Sequence, residues 1–320
     1  MTPQQALEQI RKGDRRALAR SLSYAESCLL AHHEWLDELW RLAAEMRGDS
    51  YRVGVTGAPG AGKSSLIEVL GMHAIGLGHR VAVLTVDPSS EVSGGSLLAD
   101  KTRMARLGVH PSALVRPSAS RAALGGVAVH TQESIELCEL AGYDVTIVET
   151  VGVGQSETEV ADLVDVLLLV LVPGAGDELQ ALKRGITEVA DVVVVNKADG
   201  ANKAAAARLA RRYEGGLQWF AQNRQPSVLT ASAKEQMGIE PLWRSLAERR
   251  QRWLEDGSLG VRRGVKQARQ LKRSLERRWL ERLWSNAERR QQLEQLQVGV
   301  AEGRLNLRQA LAAFSAASAA

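Results

Sequence analysis

Hydrophobic positions along the chain change their period twice. Through residues 1–48 they recur every three to four positions, first at Leu18, Leu22, Ala25, Leu29 and Leu30, then at Leu36, Leu39, Trp40 and Ala43. That spacing predicts helices alone. From Tyr51 onward the texture turns to short β-branched runs at 52–56, 80–86, 145–149, 166–172, 192–196 and 227–230, separated by helical segments. Strands that are apolar almost throughout need cover on both faces, which predicts an α/β fold with a mainly parallel sheet. Beyond Ile239 the helical spacing returns and runs to a small-residue tail at 312–320 that is expected to fray. The predicted organisation is an N-terminal helical region (1–48), a central α/β domain (49–250) and a C-terminal helical region (251–320), without an internal repeat.

Composition adds a bound and a caution. With 320 residues and 45% hydrophobic content, the chain can bury one large core and still carry helical extensions. The net charge of +4 is concentrated late, where Arg262, Arg263, Arg269, Arg273, Arg277, Arg278 and Arg282 alternate with Leu and Trp. Acidic residues such as Glu276 and Glu281 interrupt that run, so it reads as the wet face of amphipathic helices and not as a nucleic-acid surface. The apolar stripe at Trp279, Leu280, Leu283 and Trp284 exceeds what a lone terminal helix hides. It either packs on the chain's own α/β domain or forms a homodimer seam. Cys28 and Cys138, the two cysteines, are too far apart in sequence to suggest a disulfide framework or a metal-ligand spacing. No charged-then-apolar leader opens the chain, and no apolar run nears the ~20 residues that span a bilayer. A cytoplasmic protein without membrane contact is the expectation.

The candidate chemistry begins where the first strand ends. Gly57, Ala58, Pro59, Gly60, Ala61, Gly62, Lys63 and Ser64 form a complete Gly-x4-Gly-Lys-Ser, followed by a predicted helix from Ser65. Glycines let backbone N–H groups turn inward around a β-phosphate, and the helix N-terminus adds partial positive charge. Lys63 is expected to bridge the β- and γ-phosphates and the Ser64 hydroxyl to ligate Mg²⁺.

Two more strands end in acids, at Asp87 and Glu149, and open α/β sheets bind ligands at that carboxyl edge. Both are candidate Mg²⁺ ligands, directly or through water. Between them, residues 93–104 form a polar, glycine-containing stretch suited to ordering around γ-phosphate, and Asp100 is a further candidate for the metal shell. Residues 149–157 form the matching second switch, with Gly152 placed to offer its N–H to the γ-phosphate and Gln155 nearby. After the strand at 192–195 come Asn196, Lys197, Ala198 and Asp199. A carboxylate at the fourth position accepts from guanine N1–H and the 2-amino group, a donor pair adenine lacks, so GTP and GDP are predicted over ATP. Ser232, Ala233 and Lys234 fit the loop that supports the base from the other side.

These segments, with Asp87-Pro88-Ser89-Ser90, Asp100-Lys101-Thr102-Arg103-Met104, Arg116-Pro117-Ser118, Glu149-Thr150-Val151-Gly152-Val153-Gly154-Gln155 and Pro173-Gly174-Ala175-Gly176-Asp177-Glu178, resemble the MeaB/ArgK group of P-loop GTPases. The resemblance is strong over about residues 50–245 and weaker at the helical ends. It implies a GTPase that gates loading of adenosylcobalamin into methylmalonyl-CoA mutase, or a related cobalamin-dependent acyl-CoA mutase, and protects it from inactivation. It also implies metal and catalytic roles for Ser64, Asp87, Asp100 and Glu149, an additional switch at 174–183 with Lys183 as its signalling residue, and a homodimer formed through C-terminal helices. Three rivals share parts of the pattern, of which a membrane-targeting GTPase of the signal-recognition type needs a Met-rich binding region that five scattered methionines do not supply. A nickel-insertion metallochaperone GTPase needs Cys/His metal sites, and the histidines, including the His32-His33 pair that follows Cys28 on a predicted helix, are expected to form no metal cluster with either cysteine. A kinase or ATPase of an amino-acid transport system is opposed by the guanine-reading tetrad at 196–199.

Overall fold

The computed structural model describes the chain except residues 28, 47–48, 88–103, 120–125, 151–155, 175–188, 221–225, 286 and 317–320; at 87, 118–119, 126–129, 156–159, 217–220, 277–285 and 315–316 the backbone alone is described. The described chain forms a seven-stranded sheet flanked by helices, and it divides into compact units at 1–270 and 271–320. In sequence order the strands are β1 (Tyr51–Thr56), β2 (Val81–Asp87), β3 (Ala113–Ala119), β4 (Val145–Thr150), β5 (Val166–Leu171), β6 (Val192–Val195) and β7 (Ser227–Thr230). Across the sheet the order is β3-β2-β4-β1-β5-β6-β7, and each neighbouring pair is parallel. All the strands therefore deliver their C-terminal ends to one edge. β1 lies between β4 and β5, the point where successive connections change direction and where such sheets open a crevice for ligand.

Alternation along the strands splits the core into two layers. Val53 and Val55 of β1, Ile147 of β4, and Val166, Leu168 and Val170 of β5 face one side, against a cover that includes Leu66, Ile67, Leu107, Leu242 and Leu246. Those cover residues belong to α4 (Lys63–Gly76), α5 (Ala105–Val109) and α9 (Ile239–Glu255). On the opposite side Leu84, Val148, Leu167, Leu169 and Val193 meet Ile135, Leu163, Leu209 and Tyr213. These come from α6 (Gly126–Leu140), α7 (Ser156–Leu163) and α8 (Lys203–Phe220).

The helical preface is α1 (Pro3–Arg11), α2 (Arg15–Ala25) and α3 (Leu30–Leu42), and its Ile10, Leu18, Leu22 and Leu39 join that second layer. Local chemistry starts two of these helices. Thr2 and Gln5 form a reciprocal capping box, and the Asp14 carboxylate accepts from the amides of Arg16 and Ala17. Leu29 and Leu30, placed on the apolar stripe by their spacing, are instead exposed, because α3 begins at Leu30 and the helix before it has already ended.

β3 is a strand that the hydrophobic pattern did not predict. It lies at the sheet edge, and Arg116 and Pro117 interrupt its apolar run. An edge position tolerates proline because one side of the strand makes no ladder bonds. At the sheet's amino edge, Arg52 donates to both carboxylate oxygens of Glu139 at 2.8 and 2.9 Å, and Ser50 Oγ donates to the same carboxylate at 2.7 Å. All three residues are buried.

Helix α10 (Ser258–Ser285) begins in the first unit. In the second unit, α11 (Ala287–Ala301) and α12 (Leu307–Ala316) make a helical pair whose turn is tight: a Cβ on Gly299 would come 3.0 Å from Leu305 Cδ1. Asn306 and Gln309 cap α12 reciprocally at 2.9 Å in each direction. The stripe from Trp279 to Trp284 falls on α10, with its side chains outside the described residues. Among the described residues, no helix is long and apolar enough to cross a membrane.

Candidate functional site

The phosphate loop leaves β1 at the middle of the carboxyl edge. Its two constrained glycines show why that residue type stands there. Gly57 has φ +147°, and a Cβ on it would lie 2.2 Å from the Val170 carbonyl oxygen of β5. Gly62 has φ +83°, and a Cβ there would lie 2.6 Å from Asn196 Nδ2. Both therefore combine a left-handed backbone with close contact. Pro59 and Gly60 form the exposed tip, whereas Ala61 is buried. α4 starts at Lys63 without a side-chain cap, and Ser64 and Ser65 occupy its first turn. The first amides of a helix lack intrahelical acceptors, so this end is chemically suited to an anion.

Lys63 is buried, and its ammonium donates to the carbonyls of Gly57 at 2.8 Å and Ala58 at 3.2 Å. Ser64 Oγ donates to Glu149 Oε1 at 2.8 Å, so the helix start and the end of β4 meet. These are hard oxygen donors of the kind Mg²⁺ takes, and their convergence beside the phosphate loop fits that ion. Asp87 ends β2, two strands from β1, and only its backbone is described. Asp100, Gly152, Gln155 and Lys183 lie outside the described residues.

Asn196 joins the phosphate loop to the candidate base loop. Its Nδ2 donates to the Ala61 carbonyl at 2.9 Å, and its Oδ1 accepts from the Ala233 amide at 3.2 Å. The residue is 1% exposed, so these bonds are formed away from solvent competition. Lys197 adopts φ +56°, and its ammonium donates to the Gly60 carbonyl at 2.7 Å. Asp199 Oδ2 accepts from Ser232 Oγ, which itself accepts from the Glu235 amide at 3.0 Å. Lys234 is exposed beside them. Thus the phosphate loop and the tetrad at 196–199 are bonded to each other directly, and the tetrad also holds the loop at 232–234.

Pattern reading missed two backbone features that shape this site. One is Val170, whose carbonyl oxygen leaves no room for a Cβ at Gly57; it reads only as another apolar strand residue. The other is Gly238, with φ +73°, where a Cβ would lie 2.3 Å from the Thr230 carbonyl oxygen. With the paired backbone bonds between Ser232 and Met237 at 2.9 and 3.1 Å, it closes the base loop. A glycine just after that loop was the available signal.

Comparison with known proteins decides the family. Residues 18–288 match the family described as methylmalonyl Co-A mutase-associated GTPase MeaB. The chain belongs to that family. It is accordingly a P-loop GTPase that binds guanine nucleotide and converts GTP and water to GDP and phosphate. GTPase ArgK of Escherichia coli (strain K12) is 41% identical over 285 residues, covering 88% of this chain and 86% of that protein. The mitochondrial methylmalonic aciduria type A homolog of Mus musculus is 42% identical over 265 residues, covering 79% of this chain and 64% of the mouse protein. Among solved structures, the crystal structure of LAO/AO transport system kinase aligns with a TM-score of 0.79 at 33% identity, covering 99% of this chain and 98% of that one.

Proposed function

We propose that this GTPase is a chaperone of a cobalamin-dependent acyl-CoA mutase, with methylmalonyl-CoA mutase as the first candidate, and that it gates adenosylcobalamin loading and protects the mutase from inactivation. The observation that carries this reading is the match to the mutase-associated family over residues 18–288. The site described above supplies the nucleotide chemistry that such gating needs.

In this reading Lys63 exchanges its bonds to the Gly57 and Ala58 carbonyls for β- and γ-phosphate oxygens. The loop amides and the start of α4 face the same charge. Ser64, Asp87, Asp100 and Glu149 would hold Mg²⁺, which when bound offsets phosphate charge. Asp199 accepts from the guanine N1–H and 2-amino group, while Ser232, Ala233 and Lys234 support the base. Water attacks the γ-phosphate in line, and Lys63 with the loop amides stabilises charge moving toward the β–γ bridge. Gly152 contacts the γ-phosphate through its N–H.

Val153 follows Gly152 and carries no polar atom on its side chain to orient water. Intrinsic hydrolysis is therefore slow, and the partner completes the site by bringing Gln155 close or by releasing an inhibitory pose. Lys183, in the 174–183 segment, carries the signal to the mutase, and the C-terminal helices make a homodimer. The test is single-turnover GTP hydrolysis by the isolated protein and with excess mutase. Stimulation supports the reading; equal rates contradict it. Transfer of labelled γ-phosphate to protein instead of water would favour the kinase alternative.

A further inference from the structure

The first three turns of α10 grip the corner between α7 and β5. Arg263 donates to Asp165 Oδ1 and Oδ2, both at 2.7 Å, and to the Ser50 carbonyl at 2.6 Å. Lys266 Nζ donates to the Val164 carbonyl at 2.6 Å, and Arg269 donates to Asp162 Oδ1 at 3.2 Å. The three cations are spaced three residues apart, which places them along one side of the helix.

The gripped corner is bonded to β1 and continues from α7. Asp165 Oδ2 also accepts from the Arg52 amide at 3.0 Å, and the Asp165 amide donates to the Arg52 carbonyl at 2.8 Å. Arg52 lies in β1, the strand that delivers the phosphate loop. α7 begins at Ser156, directly after residues 151–155. It is also pressed against β1: a Cβ on Gly54 would lie 2.9 Å from Val164 Cγ2 and 3.4 Å from Val160 Cγ1. β1 thus leaves little room for α7 and the residue after it, and the 162–165 corner is where α7 passes into β5.

We propose that Arg263, Lys266 and Arg269 are positioning residues of the nucleotide cycle, which by holding the 162–165 corner set the site's preference between GTP and GDP. The proposal rests on the reading of residues 149–157 as the γ-phosphate-sensing switch. Arg263 and Asp165 form the fixed part, since the Asp165 side chain is 1% exposed and bonded on both oxygens. Arg269 is the adjustable part, with a side chain 57% exposed against a buried Asp162. If the GTP and GDP forms differ at α7, the tie is stronger in one form than in the other. By linkage, cutting the tie then changes the relative affinity for the two nucleotides.

The experiment compares the full-length protein with Arg269→Glu, Arg269→Ala and Arg269→Lys, measuring equilibrium affinity for GDP and for a non-hydrolysable GTP analogue. Arg269→Glu is expected to change the affinity ratio by at least about fivefold, the low end of typical coupling. Arg269→Ala changes it in the same direction by less, and Arg269→Lys leaves it near the wild-type value. A merely structural role moves both affinities together, so an unchanged ratio in the Glu and Ala variants overturns the proposal. Arg269→Ala adds no like charge beside Asp162, and it keeps the test available if the Glu variant unfolds. Hydrogen exchange of the wild type in both nucleotides separates the two levels of failure. A change across 151–163 with an unchanged ratio in the variants overturns the tie alone. No change across 151–163 overturns the switch reading and the tie with it.

Discussion

The two edges of the sheet hold their charges differently. At the amino edge, Arg52 pairs with Glu139 and Arg263 with Asp165, so full charges answer full charges over short distances. At the carboxyl edge, the partners include neutral groups: backbone carbonyls for Lys63, the Ser64 hydroxyl for Glu149 and the Ser232 hydroxyl for Asp199. Partners of the first kind are costly to separate once buried. Neutral partners of the second kind are more readily exchanged for phosphate, cation or base. The contrast assigns stability to the Arg52–Glu139 pair and direct ligand contact to the carboxyl edge, while Arg263 and Asp165 join the two through β1.

Substitutions on the two edges should therefore have separable effects. The largest is expected from Glu139→Ala, which leaves Arg52 buried without this carboxylate and lowers unfolding free energy by about 3–5 kcal/mol. Urea denaturation checks it, while guanine nucleotide affinity of the folded fraction stays unchanged. Next, Lys63→Met is expected to slow single-turnover GTP hydrolysis by about 10²–10³-fold, the loss typical of removing one charge-stabilising donor, with little change in the urea midpoint. Asp199→Asn should weaken GDP binding by roughly 10- to 100-fold, from about 1.5–3 kcal/mol for hydrogen bonds to a charged group. Xanthine carries a carbonyl where guanine has its 2-amino group, so titration with a xanthine nucleotide should recover part of the loss. The smallest effect is from Ser232→Ala, which removes a neutral donor to Asp199 and should weaken GDP binding about fivefold. A large loss of stability in Lys63→Met, or of nucleotide affinity in Glu139→Ala, would break the division between the edges.

Legibility in the sequence follows the same division. The phosphate loop and the tetrad at 196–199 are contiguous motifs, and local residue order sets much of their geometry. The parallel sheet was legible because its strands are apolar on both faces. β3 was not, because an edge strand tolerates the Arg116-Pro117 pair that masks its pattern. The amino-edge pairs were hidden for another reason: Arg52 and Glu139 are 87 residues apart and Arg263 and Asp165 are 98 apart, so only the folded topology brings them together. The bond from Asn196 to Ala61, across 135 residues, joins two legible motifs by a contact that neither motif reveals alone.

The most direct test of the proposed role is capture from cell extract with the full-length protein bound to a non-hydrolysable GTP analogue or to GDP. A cobalamin-dependent acyl-CoA mutase is expected to be retained, in amounts that differ between the two nucleotides. Retention of a urease or hydrogenase component in its place, or of no such mutase with either nucleotide, would contradict the chaperone role.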